Sequence, residues 1–215
     1  MDIKNFKGAI FDLDGTLLDS MHIWHDVDEE FFRRRNLKVT PEYIEVIKNM
    51  HLKAAAVYTK EKYNIKESID QIVDEWLDLC AQGYLNNVDL KPGVYDYLKS
   101  LHDKGVKMAF ATASEKQVCE DTLKKHSIFD FFSAYAYVSE INIGKTEPDI
   151  YLLAAERLGL KADECFVFED IIEGVRGAKK GNFSVCGVFD KSSAKDEELI
   201  RQTADYYIKS FEELL

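Results

Sequence analysis

Short apolar runs that end abruptly in front of polar or acidic residues constrain this chain more than any other feature. Gly8 to Phe11 is too short for a helix and runs into Asp-x-Asp-Gly, so it reads as a buried strand ending at a loop. Val106 to Ala111, Cys165 to Phe168 and Phe183 to Val188 repeat the pattern, and Ala134 to Val138 is a further run of this kind. Between them lie helical stretches with recognisable ends: Gly93 to Lys104 stops at Gly105, Asp149 to Leu158 at Gly159, and Ile172 to Lys180 at Gly181. Strand and helix alternate, as they do in a parallel sheet with helices on both faces. The expected class is α/β with a doubly wound parallel sheet, which places its sites at the carboxyl ends of the strands.

From Ser20 to about Val88 no strand-like run occurs, while helical signals are dense. Thr40 followed by Pro41 starts one helix, and Ser68-x-x-Gln71 is a capping box for another. Trp24, Val27 and Phe31, then Val57, Tyr58, Ile72, Trp76, Leu77 and Leu79, supply apolar faces at helical spacing. The expected organisation is an α/β core of residues 1–19 and 88–215 carrying an all-helical cap, residues 20–87, inserted as a lid would be. A chain of 215 residues is long enough for both.

Composition narrows the function. An apolar fraction of 46% with a 31% charged fraction of mixed sign indicates a folded globular protein. The formal net charge of −11 argues against a nucleic-acid partner, since binding a phosphate backbone needs concentrated Lys and Arg. No apolar run approaches the roughly 18 residues that span a bilayer, and the start Met1-Asp2 lacks the features of a secretory signal. No membrane association and a cytoplasmic location are therefore expected. Cys80, Cys119, Cys165 and Cys186 are widely spaced and read as reduced, structural residues. The oligomeric state is not written in the sequence.

The chemistry gathers at the strand ends. Asp12 and Asp14, two residues apart, put both carboxylates on one side of the chain, and Glu169-Asp170 directly follows another strand. In a parallel sheet these four carboxylates meet at one edge. Two carboxylates about 4 Å apart repel by roughly 4 kcal/mol at an effective dielectric of 20, so the cluster calls for a hard cation. Oxygen-only ligands and a phosphate partner favour Mg²⁺. Thr112 and Ser114 follow a strand, and Ser114-x-x-Gln117 has the form of a capping box. The backbone N–H groups of that loop, Ala113 among them, and the Thr112 hydroxyl suit a phosphate. Lys145, in Gly144-Lys145-Thr146-Glu147-Pro148-Asp149, offers the missing positive charge.

These motifs resemble the haloacid dehalogenase superfamily, in particular its β-phosphoglucomutase-like phosphatases with a helical cap after the first strand. The resemblance covers nearly the whole chain. It rests on Asp12-x-Asp14-Gly-Thr, Thr112 after a strand, Lys145 before Pro148-Asp149, and Glu169-Asp170 followed by Gly174, in the family's order. It implies a Mg²⁺-dependent phosphatase acting on small phosphorylated metabolites. Asp12 would attack phosphorus to form an aspartyl-phosphate, while Asp14 protonates the leaving oxygen and then activates water. Thr112, Ala113 and Lys145 would hold the phosphoryl group. The Asp12 carboxylate, the Asp14 backbone carbonyl and Asp170 would bind Mg²⁺, with Glu169 behind them or acting through water. Two positions depart from the family's pattern, Thr146 where Pro is usual and Ile171 where Ser is frequent, and neither removes a catalytic group.

Alternatives are less well matched. A signalling receiver domain also has an acidic cluster, a Thr and a Lys on an α/β sheet, but it is small, lacks a helical insert, and has no acid/base two residues beyond its nucleophile. A dehalogenase needs neither Asp14 nor a metal cluster. The nearest rival is a β-phosphoglucomutase, which must grip a sugar bisphosphate by both ends. In that resemblance the mutase's cap histidine falls at Trp24 and its cap arginine at Leu52, with only Lys53 nearby. Trp24, His51, Leu52 and Lys53 are thus the candidates for the substrate pocket, and hydrolysis is expected over isomerisation. Met21, Ile23 and Trp24 are either cap packing or pocket wall, whereas His22 and His25 are expected to be polar helix residues and not metal ligands.

Overall fold

The computed structural model describes residues 6–47, 50, 52–141 and 143–215 and divides into two compact units. One unit is His22–Asn87; the other takes in the chain up to Met21 and again from Val88 to Leu215.

The regular elements among the described residues of the unit His22–Asn87 are all helices: α1 Ile23–Arg33, α2 Pro41–Ile47, α3 Leu52–Tyr63 and α4 Ile69–Asn87. The Tyr43 N–H donates to the Thr40 hydroxyl at the start of α2. Ser68 and Gln71 form a reciprocal pair of bonds, of 2.8 and 3.2 Å, at the start of α4. Ile23, Val27 and Phe31 recur every four residues on α1 and are buried, with Phe31 edge-on to Trp76 at 5.4 Å. The apolar face is narrower than the sequence suggested. Trp24, Val57 and Leu77 are 49%, 36% and 48% exposed, because each stands one residue off the buried stripe and so about 100° around its helix. Met21 is likewise exposed, so of Met21, Ile23 and Trp24 only Ile23 packs inside.

The other unit holds a parallel sheet of six strands in the order β3-β2-β1-β4-β5-β6. These are β1 Gly8–Phe11, β2 Lys107–Thr112, β3 Ala134–Tyr137, β4 Cys165–Glu169, β5 Ser184–Val188 and β6 Tyr206–Ile208. Its helices are α5 Val94–Asp103, α6 Lys116–Lys125, α7 Val138–Ile141, α8 Asp149–Leu158, α9 Ile172–Lys180 and α10 Glu197–Thr203. This is the doubly wound α/β arrangement that the alternation of runs predicts. The final helix and strand, α10 and β6, gave no sequence signal of their own, as β6 is only three residues long and carries exposed Tyr206.

Side chains on successive strand residues point to opposite faces. Ile10, Ala109, Ala111, Val167 and Val185 build one core with Ile150, Ala154, Val175 and Ala178 of α8 and α9. The other face is aromatic: Phe11 stacks on Phe168 at 4.6 Å and meets Tyr97 of α5 and Phe211 near the C-terminus. Gly105 and Gly159 end their helices in the left-handed conformation, at φ +73° and +68°. Gly181 does not: Asn182 takes the positive φ, 62°, while a Cβ on Gly181 would lie 2.8 Å from the Phe183 ring and 2.9 Å from Pro148. Gly181 is therefore required by close packing.

Candidate active site

The order of strand addition reverses at β1, which pairs in parallel with β2 on one side and β4 on the other, and there the chemistry-bearing carboxyl ends converge. The register sets Phe11 opposite Phe168, so Asp12 emerges beside Glu169, and the Asp12 N–H donates to the Phe168 carbonyl at 3.0 Å. After Asp12 the chain coils tightly: the N–H groups of Thr16, Leu17 and Leu18 all donate to the Leu13 carbonyl. Gly15 sits in this coil at φ +80°, and a Cβ there would come within 2.4 Å of Asp170 Oδ2, so glycine is needed twice over. The Thr16 hydroxyl lies 3.0 Å from Asp170 Oδ1 and 3.4 Å from Asp12 Oδ2; with one proton to give, it favours Asp170.

Lys145 completes the cluster. Its Nζ donates to Asp12 Oδ1 and, at 2.6 Å, to Glu169 Oε1, which also accepts from the Tyr151 hydroxyl at 2.7 Å. Asp12, Lys145, Glu169 and Asp170 are all buried side chains. Burial drives the Asp12 carboxyl well above the usual carboxylate range; Lys145 opposes this, while Glu169, Asp170 and Asp14 add to it. Burial and the neighbouring Glu169 push Asp170 up to about 7, against Lys145 and Thr16. Burial also disfavours the Lys145 cation, but Asp12 and Glu169 outweigh it and hold the lysine above its ordinary value.

One oxygen from each of Asp12, Glu169 and Asp170 lies within 4.8 Å of the others. Among the described residues, Glu169 Oε2 and Asp170 Oδ2 are buried with no hydrogen-bond partner. Orphaned buried oxygens on hard donors, in a cluster too negative for Lys145 alone, fit a divalent cation such as Mg²⁺.

Asp14 and the loop after β2 depart from expectation in detail. The capping box expected at Ser114 and Gln117 is absent: α6 begins at Lys116 with Glu115 extended before it and no side-chain cap. The Ser114 hydroxyl instead donates to Asp14 Oδ2, and Ser20 donates to Asp14 Oδ1 at 2.6 Å. A charged acceptor makes the stronger bond, so it draws the serine away from the helix end. Thr112 is buried at the end of β2 and its oxygen accepts the Ser114 N–H at 3.0 Å; Ala113 between them is exposed. Ile171 stands at the N-cap of α9, where it offers no capping side chain, and the Thr146 carbonyl accepts from Lys180.

Trp24, Leu52 and Lys53 belong to the unit His22–Asn87. Trp24 is half exposed on α1, Leu52 opens α3, and Lys53 lies 3.5 Å from Asp70; His51 lies outside the described residues. His22 and His25 pair along α1 with Asp26 and Glu29. Three contributors escaped the sequence reading. Tyr151 sits among apolar residues of α8 and looks like core, and Thr16 is visible only as part of its motif. Lys91 lies in a turn before Pro92-Gly93 with no pattern to mark it.

Comparison with known proteins agrees with this geometry. The family model for haloacid dehalogenase-like hydrolases matches residues 9–188. Hexitol phosphatase A of Escherichia coli is 32% identical over 79% of this chain and 76% of its own length. The phosphorylated carbohydrates phosphatase of Thermotoga maritima is 24% identical, covering 80% of each chain. A provisionally assigned β-phosphoglucomutase from Thermotoga maritima superposes with a TM-score of 0.86 at 23% identity, over 97% of this chain and 96% of that one. This chain belongs to the haloacid dehalogenase-like hydrolases. Within them it is a phosphatase, a phosphoric monoester hydrolase. No described helix is long and apolar enough to cross a membrane.

Proposed function

We propose that the protein hydrolyses small phosphorylated metabolites in the cytoplasm, with Asp12 as a covalent nucleophile and Mg²⁺ as cofactor. The observation that carries this reading is the buried meeting of Asp12, Glu169 and Asp170 with Lys145 at one sheet edge. Asp12 attacks phosphorus, the bond to the ester oxygen breaks, and Asp14 gives that oxygen its proton. Asp14 then takes a proton from water, which attacks the aspartyl-phosphate, releases inorganic phosphate and frees Asp12. Lys145, the Thr112 hydroxyl and the Ala113 N–H hold the transferring group, and Ser20 and Ser114 orient Asp14. The Asp12 and Asp170 carboxylates and the Asp14 carbonyl would hold Mg²⁺, which supplies charge neutralisation for the phosphoryl oxygens, with Glu169 behind them.

Relatives that act on phosphorylated carbohydrates and hexitol phosphates make sugar and polyol phosphates the first members of a substrate panel. Hydrolysis is favoured over isomerisation because an indole at Trp24 and an isobutyl group at Leu52 cannot grip a distal phosphate. A coupled assay in which β-glucose 1-phosphate isomerises faster than phosphate is released would overturn that choice. For the nucleophile, Asp12→Asn should fold yet lose turnover by several orders of magnitude. Because water attacks the phosphorus of the aspartyl-phosphate, two in-line displacements at phosphorus should give net retention of configuration when the phosphoryl group of the substrate is made chiral with oxygen isotopes. Inversion at phosphorus shows a single direct attack by water and refutes the covalent step.

A further inference from the structure

We propose that Lys91 is a positioning residue for the nucleophile loop, acting through the Gly15 carbonyl. The inference rests on the reading of Asp12 as nucleophile. Lys91 is nearly buried, and its Nζ donates to three acceptors: the Gly15 carbonyl at 2.6 Å, the Phe189 carbonyl, and Asp190 Oδ2 at 3.0 Å. An ammonium has three protons, so this one is fully used. The other Asp190 oxygen accepts from the Ser192 N–H and hydroxyl at 2.8 and 2.7 Å, which leaves no need for Lys91 to be shared with another group.

The main chain of Lys91 is tied to the same loop from the far side. Its N–H donates to the Leu17 carbonyl at 2.9 Å, Leu90 bridges Leu18 antiparallel, and the Asp19 N–H donates to the Asp89 carbonyl. The coil from Asp12 to Leu18 is thus closed by one residue, through backbone at its exit and side chain at its middle. The Gly15 carbonyl belongs to the peptide that leads into Thr16, so fixing that oxygen fixes the plane from which the Thr16 hydroxyl reaches Asp170 and Asp12. Glycine at φ +80° has no Cβ to restrict it, and this peptide is otherwise held by the Thr16 N–H on the Leu13 carbonyl, at 3.2 Å the longest of the three bonds to that oxygen. A displacement of about 1 Å at a reacting group can cost on the order of a hundredfold in rate.

A purely structural role for Lys91, as partner of Asp190 between two loops, predicts something different. Under that role, removing Asp190 alone and removing both residues should have the same effect. The test measures p-nitrophenyl phosphate hydrolysis with saturating Mg²⁺ for wild type, Asp190→Asn, Lys91→Met/Asp190→Asn and Asp12→Asn. The double variant avoids leaving Asp190 buried without its cation. Asp190→Asn, which keeps the Gly15 bond, should stay within about threefold of wild-type kcat, and the double variant should fall about ten- to a hundredfold with KM nearly unchanged. Equal kcat in those two variants overturns the proposal. Should the double variant not fold, Lys91→Arg carries the same question, since it keeps the cation but replaces a compact ammonium by a planar fork. Reduced kcat at unchanged KM supports the proposal there, and wild-type kcat overturns it. Activity retained by Asp12→Asn would instead refute the nucleophile reading itself.

Discussion

Gly174→Ala adds one methyl group to the molecule and should be among its more damaging single changes. Gly174 is the third residue of α9, and an ideal Cβ there would lie 2.4 Å from Glu169 Cδ and 2.5 and 2.6 Å from its two oxygens. Ordinary contact needs the carboxylate to retreat by about 1 Å, and it has nowhere to go. Glu169 is fully buried, and its Oε1 is pinned by Lys145 at 2.6 Å and Tyr151 at 2.7 Å. A shift of that size stretches both bonds past useful length. Overpacking costs about 1–3 kcal/mol, and weakening a hydrogen bond to a charged group about 1.5–3 kcal/mol. Alanine returns about 1 kcal/mol through its better helix propensity.

The net loss is then about 2–5 kcal/mol, which for a chain of this size lowers the melting temperature by roughly 5–15 °C. Thermal melts and urea midpoints read it directly. The cause is isolated by a cycle with Glu169→Asp, which draws the carboxylate back by one methylene and makes room for the added methyl. The two changes should couple by at least about 1 kcal/mol, the double variant recovering part of the loss. If Gly174→Ala melts within about 1 °C of wild type and turns over normally, the steric reasoning is wrong. Strict additivity with Glu169→Asp would show that the damage arises elsewhere.

Three further outcomes are expected. EDTA should abolish hydrolysis of p-nitrophenyl phosphate and excess Mg²⁺ restore it; full activity in metal-free buffer would sink the cofactor assignment. Tyr151→Phe, which removes one donor from Glu169 Oε1, should lower stability by about 1–2 kcal/mol and kcat by a few-fold, and a variant indistinguishable from wild type would mean that Lys145 alone holds Glu169. In the helical unit, burial raises Asp28 to about 6, offset in part by His25 and the Tyr43 hydroxyl. Because the folded value lies above the unfolded one, this contribution to stability is full below about pH 4 and lost as pH rises through about 6. Asp28→Asn should flatten that part of the urea-midpoint profile, and an unchanged slope would clear Asp28 of responsibility.

How legible the molecule was depends on how local each signal is. A buried parallel strand shows as an uninterrupted apolar run, so β1, β4 and β5 could be read to within a residue or so, and α8 and α9 to the residue. The short edge strand β6 has no such run, because an edge position tolerates the exposed Tyr206. Within α1 the sequence showed an amphipathic helix but not its phase, which is why Trp24 was assigned to an apolar face that it does not join. The site divides in the same way. Asp12, Glu169 and Asp170 stand at strand ends, and Lys145 in the loop just before α8, where position in the chain nearly determines position in space. Lys91 reaches Gly15 and Asp190, which are 76 and 99 residues away, and no pattern in the chain predicts such a meeting. Ser114 satisfied a local rule and was drawn off by a distant charge, so its bond to Asp14 could be known only from the fold.

The buried carboxylates make a last prediction, about stability rather than turnover. Asp170 is pushed up to about 7 by burial and by Glu169, so without metal the folded state holds a proton that the unfolded chain releases above about pH 4. Its contribution to stability is therefore full in acid and is lost as pH rises through about 7. The loss is on the order of a few kcal/mol. Asp12, raised for the same reasons, works in the same direction. A divalent cation binds the deprotonated carboxylates, so it competes with those protons and stabilises the fold most where they have left. Melting temperatures in EDTA should fall from about pH 5 to about pH 8, while those in excess Mg²⁺ should hold up, so the gap between the two curves widens with pH. The Asp28 contribution belongs to the other unit, ends near pH 6 and is common to both curves, so it cancels from the gap. Asp170→Asn should shrink the gap at the alkaline end and raise the EDTA curve there. A gap that stays the same from acid to alkali, or survives Asp170→Asn intact, would mean that Mg²⁺ stabilises the protein somewhere other than this cluster.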